Sequence, residues 1–190
     1  MRSRSKKCYD QAALYDYAIA ALGRQMRSVA ELKRLLRRRA LHTDNAEPII
    51  EAVISRLKEQ RYLNDTQYAT AFTSYRKENE KLGQRRVVQE LRAKGVHPDV
   101  IEKAVRGAYA GLNEEKLARE FLHRKRLRKP ASQKEAARIF RALTRAGFSS
   151  NVIFKVLKKW DVGDEVLTAL NEPEDENAAS SETAAGEIAE

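Results

Sequence analysis

Three histidines and one cysteine are the side chains in this sequence that could act as bases, nucleophiles or metal ligands. His42 and His97 fall between predicted helices, and His123 lies among arginines and lysines. None has a Cys, Asp or Glu partner at the spacing of a metal site. Cys8 has no neighbouring base to activate its thiol, and the sequence has no glycine-rich phosphate loop. These residues predict no catalytic site, no metal and no other cofactor.

The carboxylates that could serve as acid–base groups lie at predicted helix ends. Asp65 and the adjacent Glu114 and Glu115 each open a helix, where a carboxylate accepts hydrogen bonds from free amides and meets the positive end of the helix dipole. The predicted caps are Ser28, Glu31, Asp65, Gly95, Ser132, Glu135 and Gly147. We therefore expect a binding protein and not an enzyme.

The strongest functional signal is a set of basic clusters. The candidate contact residues are Lys33, Arg34, Arg37 and Arg38, then Arg85, Arg86, Arg92 and Lys94, then Arg124 and Arg126, and finally Arg138, Arg141 and Arg145. At about 100° per residue, the three arginines of the first group share one helix face, as do those of the last group. Any single arginine could simply be solvated, whereas a row of them predicts a surface that binds a polyanion.

The basic residues are unevenly distributed along the chain. The 190 residues include 37 Lys or Arg and 27 Asp or Glu, and ten of these acids lie between Asp161 and Glu190, a stretch without Lys or Arg. The first 160 residues therefore carry all 37 basic side chains against 17 acidic ones, a net charge of +20. Such a field favours nucleic acid through long-range attraction and counterion release. A charge that serves solubility alone is the alternative.

The sequence carries no signal for a membrane or for secretion. No apolar run approaches the ~18 residues of a membrane span, and the basic stretch Met1–Lys7 is not followed by an apolar segment. Because Cys8 is the single cysteine, no intramolecular disulfide can form. We expect a cytoplasmic monomer with no membrane contact.

Helix signals recur along the chain, and strand signals are nearly absent. Caps, first-turn prolines and terminal glycines predict nine helices, at about residues 9–25, 28–41, 47–61, 65–81, 84–94, 98–110, 114–129, 132–146 and 150–160. The seventh should end in the basic run of residues 124–129. From residue 171 onward, large apolar groups are too few to offset ordering, which predicts a disordered acidic tail. The pattern does not decide whether a short additional helix forms around Leu167.

The nine helices divide into three similar triplets. The segment Val88, Leu91, Gly95, Ile101 and Val105 matches Phe140, Leu143, Gly147, Ile153 and Leu157 at a constant shift of 52 positions. We predict an all-α fold of tandem three-helix repeats in an elongated, curved array, each repeat with its own small core. The expected segments are a basic flexible N-terminus (1–8), three helical repeats (9–63, 64–112 and 113–160) and an acidic, mostly disordered tail (161–190).

A family resemblance covers about residues 14–160. The chain reads Leu57-x3-Arg61-Tyr62-Leu63-Asn64-Asp65-x2-Tyr68-Ala69, then Arg76, Gly83, Arg86-Val87, Leu91 and Lys94-Gly95-Val96. This resembles the RecX family of recombinase regulators, and Ser28-x2-Glu31-Leu32-x2-Leu35 agrees in the first triplet. Three positions depart from the family pattern. Arg61 replaces a glycine, Asn64 an aspartate and Tyr68 a phenylalanine.

The resemblance implies tandem three-helix repeats and a role in recombination, DNA repair and the SOS response. It implies binding to the RecA–DNA filament and inhibition of ATP hydrolysis, strand exchange and filament growth. The expected partners are a RecA-type recombinase filament, single-stranded DNA and double-stranded DNA. The family offers no catalytic residue to carry over. A stand-alone, sequence-tolerant DNA-binding protein and a helical protein-binding scaffold remain as alternatives.

Overall fold

The chain folds into helices throughout the part that the computed structural model describes, which is residues 9–163, 165, 167 and 168. These residues contain no β-strand. The helices are α1 (Gln11–Arg24), α2 (Val29–Arg39), α3 (Ala46–Glu59), α4 (Asp65–Glu78), α5 (Gln84–Ala93), α6 (Pro98–Tyr109), α7 (Glu114–Arg124), α8 (Gln133–Arg145) and α9 (Ser150–Lys158). All but α7 begin and end close to their predicted bounds, so the all-helical prediction is confirmed.

The seventh helix is shorter than predicted. It ends at Arg124 because Arg126 takes a left-handed conformation with a φ of 55°. The Leu127 N–H then donates to the Leu122 carbonyl at 2.9 Å, which closes the last turn. The prediction that the basic run of residues 124–129 ends the helix is therefore wrong. Most of that run lies in the loop between α7 and α8.

Arg61 stands in the turn after α3, where the family pattern has a glycine. Arg61 takes the left-handed conformation that a glycine would favour, with a φ of 62°. The Tyr62 N–H donates to the Leu57 carbonyl at 3.0 Å, as in a glycine-ended helix. The turn therefore has the backbone of a glycine-ended helix although the residue is an arginine.

The helices pack in three triplets. The third helix of each triplet contacts both of its predecessors, so α3 packs on α1 and α2, α6 on α4 and α5, and α9 on α7 and α8. We call these triplets repeat 1 (α1–α3), repeat 2 (α4–α6) and repeat 3 (α7–α9). Leu91 and Ile101 of repeat 2 are buried, as are Leu143 and Ile153 at the matching positions of repeat 3. The helices of each triplet thus pack together through one apolar stripe on each helix.

The three repeats do not have three separate cores. Repeat 1 has its own apolar cluster, whereas a continuous cluster runs through repeats 2 and 3. Leu82 of repeat 2 and Phe121 of repeat 3 line the same recess, so apolar side chains of both repeats meet at this boundary. The prediction of one core per repeat is therefore wrong for repeats 2 and 3.

Polar contacts hold repeat 1 against repeat 2. The buried Ser28 hydroxyl, at the start of α2, donates to the Lys94 carbonyl at the end of α5 at 2.6 Å. Glu31 accepts from the Lys94 ammonium at 2.8 Å and from the Tyr68 hydroxyl at 3.2 Å. Burial disfavours the Glu31 carboxylate, but hydrogen bonds from Lys94 and from the Ser28 N–H outweigh it and lower the pKa of Glu31. We call this contact the 1–2 junction.

The predicted cap Asp65 acts at this junction and not on its own helix. Asn64 caps α4, since its side-chain oxygen accepts from the N–H groups of Thr66 at 2.9 Å and Gln67 at 3.1 Å. Asp65 follows the cap, and its carboxylate instead accepts from the Val29 N–H in the first turn of α2 at 2.8 Å. The prediction that Asp65 caps α4 is wrong, because extended backbone at Asn64 makes that residue the cap.

Glycines bring repeat 2 against repeat 3. The Gly83 N–H at the start of α5 donates to the Ala146 carbonyl at the end of α8 at 2.8 Å. A Cβ at Gly83 would overlap the carbonyl group of Gly147, and a Cβ at Gly147 would overlap the backbone of Arg86. Gly147 also has a φ of 91°, which side-chain-bearing residues rarely adopt. We call this backbone-to-backbone contact the 2–3 junction.

The two serine caps have different surroundings. Ser28 and Glu31 form a complete capping box at the start of α2. At the start of α8, Ser132 accepts from the Glu135 N–H at 3.3 Å, but Glu135 reaches the Ala131 N–H at 2.8 Å instead of the Ser132 N–H. Gly95 ends α5 with a φ of 77°, as its C-cap prediction requires.

The predicted acidic tail, residues 161–190, lies outside the described residues except for 161–163, 165, 167 and 168. Residues 165, 167 and 168 are helical, and Leu167 is buried in the core of repeats 2 and 3 with 1% of its surface exposed. Within the described part of the chain, no helix is both long and apolar enough to cross a membrane.

We predict that Gly83→Ala destabilises the protein by about 1–3 kcal/mol, because the added methyl group would push the backbone of α8 away from α5. Gly107→Ala is the matched control, since a Cβ there meets nothing within 4 Å. It should stabilise α6 by about 0.5–1 kcal/mol through lower backbone entropy in the unfolded chain. Urea unfolding followed by circular dichroism measures both free energies. Equal stability of Gly83→Ala and the unmodified chain would contradict the close approach.

We predict that Glu31→Gln destabilises the protein by about 1 kcal/mol near neutral pH, because it keeps an acceptor for the Ser28 N–H but loses the charge opposite Lys94. The folded-state pKa of Glu31 is lowered, so its stabilising effect is present above the ordinary value of 4.5 and is lost as the pH falls through the folded-state pKa. The difference in unfolding free energy between the two chains should therefore shrink in acid.

Glu135→Gln is the control for that experiment, because Glu135 holds the same position in α8 but faces no neighbouring repeat cation. Unfolding curves at several pH values, from neutral to about pH 3, compare the three chains. A difference for Glu31→Gln that does not change with pH would argue against the charge pairing at the 1–2 junction.

Candidate nucleic-acid interface

The two junctions place the middle helices of the three repeats end to end. At the 1–2 junction, the first turn of α2 meets the last turn of α5, through the bond from Ser28 to the Lys94 carbonyl. At the 2–3 junction, the start of α5 meets the end of α8 in the same sense. The positive end of each helix dipole therefore faces the negative end of the next. These three helices also carry most of the predicted contact arginines, the others being Arg124 at the end of α7 and Arg126 in the loop after it.

Only part of the first cluster is available to a ligand. Lys33 pairs with Glu51 at 2.5 Å, and Arg37 pairs with Glu47, where the Nε–Oε2 distance is 3.0 Å. Hydrogen bonding to Glu47 raises the pKa of Arg37. Arg34 and Arg38 are exposed and form no ion pair with any described residue. They lie four residues apart and therefore share one face of α2.

The cluster on α5 is divided among three environments. Arg85 and Arg92 are exposed along a groove beside Val88, between α5 and the neighbouring helices. Arg86 lies on another face and pairs with Glu90 at 2.8 Å. Lys94 is half-buried in the 1–2 junction, and its bond to Glu31 outweighs the effect of burial and raises its pKa. We therefore assign Lys94 to holding the repeats together and not to an open surface.

A group of five cations lies beside the 2–3 junction. A recess of about 580 Å³ opens between α5, α8 and the end of α7. We call it the junction recess. Its cationic rim consists of Arg86, Arg124, Lys125, Arg138 and Arg145, and its apolar lining includes Leu82, Phe121, Leu127, Ala142 and Ala146. The packing of repeat 2 on repeat 3 thus combines arginines that are up to 59 positions apart in the sequence.

The two acids in the junction recess are already neutralised. Glu80 pairs with Arg76, and Glu90 pairs with both Arg76 and Arg86, at 2.9 Å and 2.8 Å. Arg124, Arg138 and Arg145 are exposed and have no ion pair with a described residue. A cationic rim over an apolar floor can bind an anionic polymer that also carries apolar or planar groups.

Three further basic residues, Arg126, Arg141 and Lys125, can be compared with the contact residues that the sequence predicts. Arg126 is exposed in the α7–α8 loop, and Arg141 is exposed on α8 outside the lining of the junction recess. Lys125 lines the recess although it is not among the predicted contact residues. Its place after Arg124 in the basic run was the available signal. Gly83 was not predicted to be a junction residue, because the sequence around a single glycine does not indicate which backbone approaches it.

The residues that could do chemistry are dispersed. His42, His97 and His123 are separated along the chain, in or beside three different repeats. Within the described residues, no group of three or more His, Cys, Asp or Glu could hold a metal ion. Asp65, Glu114 and Glu115 lie at the starts of α4 and α7, and Glu115 pairs with Lys159 at 2.7 Å.

Fold and surface together define a class, which is that of the all-helical proteins built from tandem three-helix repeats whose middle helices carry exposed arginines. A family model described as "RecX, second three-helix domain" matches residues 64–105, the span of α4 to α6. A regulatory protein RecX of Leptothrix cholodnii is 36% identical over 152 residues, which are 80% of this chain and 91% of that protein. The chain belongs to the RecX family of regulatory proteins.

Other relatives differ in length from this chain. The RecX protein of Chromobacterium violaceum is 34% identical over 66% of this chain and 78% of its own length. The RecX protein of Geobacillus thermodenitrificans is 32% identical over 80% of this chain but only 53% of its own length. This chain thus spans about half the length of that curated relative.

Solved structures agree with the fold. A crystal structure of RecX from Lactobacillus salivarius superposes with a TM-score of 0.62 at 22% sequence identity, over 80% of this chain and 97% of that one. A second RecX crystal structure gives a TM-score of 0.63 at 23% identity. At these identities the likeness supports the helical-repeat fold alone.

We predict that Arg138→Gln and Arg145→Gln together change the free energy of unfolding by less than about 0.5 kcal/mol, because both side chains are exposed and form no ion pair within the described chain. Lys94→Ala, by contrast, should cost about 1–3 kcal/mol, since it leaves Glu31 half-buried without its cation. Thermal and urea unfolding measure both effects. A large loss of stability in the double variant would show that these arginines support the fold.

Proposed function

We propose that this protein binds the RecA–DNA nucleoprotein filament and inhibits the recombinase, lowering ATP hydrolysis, strand exchange and filament growth. Its place in the RecX family supports a regulatory role. The observation that carries the proposal is the end-to-end order of α2, α5 and α8, each with exposed arginines. A long, regularly repeating target suits such a surface. We place this activity in the cytoplasm, without a catalytic step or a bound cofactor, and propose that the protein acts as a monomer.

The candidate contact residues are ten exposed arginines, which lie on α2, α5 and α8, at the end of α7 and in the α7–α8 loop. We call this set the basic row, and it consists of Arg34, Arg38, Arg85, Arg86, Arg92, Arg124, Arg126, Arg138, Arg141 and Arg145. Lys33 and Arg37 flank it and are held by carboxylates of α3. One weak contact per repeat adds up because the repeats are linked, so each contact raises the effective concentration of the next.

Protein–protein contacts to the recombinase and phosphate contacts to DNA differ in how strongly their affinity depends on salt. Phosphate contacts release counterions, so their affinity falls steeply with salt. A stand-alone DNA-binding protein is a second candidate, favoured by exposed arginines such as Arg34, Arg38 and Arg138, which form no ion pair with a described residue. It would bind bare DNA as tightly as the filament. A protein-binding scaffold is the third, and it would be insensitive to loss of the basic row.

We predict that adding this protein to recombinase filaments on single-stranded DNA lowers the rate of ATP hydrolysis. Replacing Arg34 and Arg38 with Gln should require about tenfold more protein for the same inhibition, because one repeat loses its electrostatic contacts. The matched control replaces Lys103 and Arg106 of α6 with Gln, which removes the same charge outside the basic row.

Fluorescence anisotropy with filament, bare recombinase and bare DNA at one salt concentration separates the three candidates. Unchanged ATP turnover at saturating protein rejects inhibition of the recombinase. Equal affinity for bare DNA and filament supports the stand-alone DNA-binding function instead. Equal loss of affinity in the α2 and α6 variants would remove the basic row from the interface.

A further inference from the structure

The junction recess has more cationic groups than the described chain neutralises. Five basic side chains form its rim, and its two acids are both bound to Arg76. Arg124, Arg138 and Arg145 form no ion pair within the described residues. Like charges held close together raise the local potential and attract an anionic group. The recess therefore favours an anionic occupant with some apolar surface.

The same chain contains a segment of that chemistry. Residues 169–190 include seven carboxylates, which are Glu172, Glu174, Asp175, Glu176, Glu182, Glu187 and Glu190, and no lysine or arginine. Leu170 precedes these acids and Ile188 lies among them, and both supply large apolar groups. We call residues 169–190 the acidic segment. Its charge is opposite to that of the recess, and its apolar groups suit the recess floor.

The acidic part of the chain, residues 161–190, contacts the α7–α8 loop through its first residue. Asp161 pairs with Lys129 at 2.6 Å, and Lys129 lies in the same α7–α8 loop as Lys125 of the recess. The Leu167 side chain then anchors the chain in the core shared by repeats 2 and 3. The acidic segment therefore starts next to repeat 3, whose helix α8 supplies Arg138 and Arg145.

The acidic segment is longer than the helix α8, which supplies Arg138 and Arg145. Its 22 residues would span roughly 33 Å as a helix and roughly 75 Å when fully extended. The 13-residue helix α8 is only roughly 20 Å long. Because the segment is tethered, its effective concentration at the recess is far above that of a free peptide.

We propose that the acidic segment occupies the junction recess of its own chain, with its carboxylates paired to the recess arginines. The consequence for binding rests on the proposed function, since the segment then competes with a nucleic-acid polyanion for the same cations. The competition weakens as salt rises, because exposed ion pairs are screened. A partner that captures the acidic segment would open the recess.

Paramagnetic labelling of the full chain tests the occupancy without DNA or recombinase. A nitroxide is attached at position 184 (Ala184→Cys) in a chain that also carries Cys8→Ser. The amide signals of Arg86, Arg138 and Arg145 should broaden at low salt, and those of Arg34 and Arg38 in α2 should not. Replacing the seven carboxylates with their amides should abolish the broadening. Equal broadening in α2 and α8, or broadening that survives this replacement, overturns the proposal.

Affinity for a single-stranded oligonucleotide tests the competition. At low salt, the full chain with the seven carboxylates neutralised should bind several-fold more tightly than the unmodified chain. Adding Arg138→Gln and Arg145→Gln should remove that gain, whereas Lys103→Gln and Arg106→Gln should preserve it. A gain that persists without the recess arginines contradicts competition at this site.

The two readouts separate the possible failures. If no chain binds DNA, the nucleic-acid part of the proposed function fails, and the nitroxide experiment still decides the occupancy. If the nitroxide leaves α8 unchanged while the oligonucleotide shifts the same arginine signals, the occupancy proposal fails and the recess is assigned to nucleic acid.

Discussion

The close approach of backbone at the two junctions is the constraint on which the rest of this structure depends. Each middle helix begins where the middle helix of the following repeat ends, with a serine or a glycine at the point of contact. Gly83 leaves no side chain between α5 and α8, and Ser28 is small enough to donate directly to the carbonyl at the end of α5. Helix ends of opposite partial charge can then face each other, which fixes the order of the basic helices.

Ion pairing decides which cations of this positively charged molecule remain open to a ligand. Carboxylates of α3 hold Lys33 and Arg37, and Glu31 holds Lys94 inside the 1–2 junction. Few acids of the described chain reach the face formed by Arg138 and Arg145. The positive potential is therefore concentrated beside the 2–3 junction, where the apolar floor adds contact area for a chain-like ligand.

The free ends of α2 and α8 differ from the helix ends that meet at the two junctions. After α5 and α8, a glycine in the left-handed conformation lets the middle helix of the preceding repeat approach. After α2, Leu41 occupies the corresponding place with 74% of its surface exposed, and its side chain would block such an approach. At the other end, Ser132 is exposed and caps only its own helix.

The sequence by itself determined the nine helices, the apolar register of the repeats, the excess of basic charge and the resemblance to the RecX family. These follow from local periodicity and composition, which depend only on residues that are close together in the sequence. Only the tertiary structure decided that Asp65 bonds the first turn of α2, that Lys94 belongs to a junction and that Arg86 joins Arg138 in one recess. The physical reason is that pairing between distant side chains depends on the packing of whole repeats, and helical periodicity carries no information about which repeat face meets which.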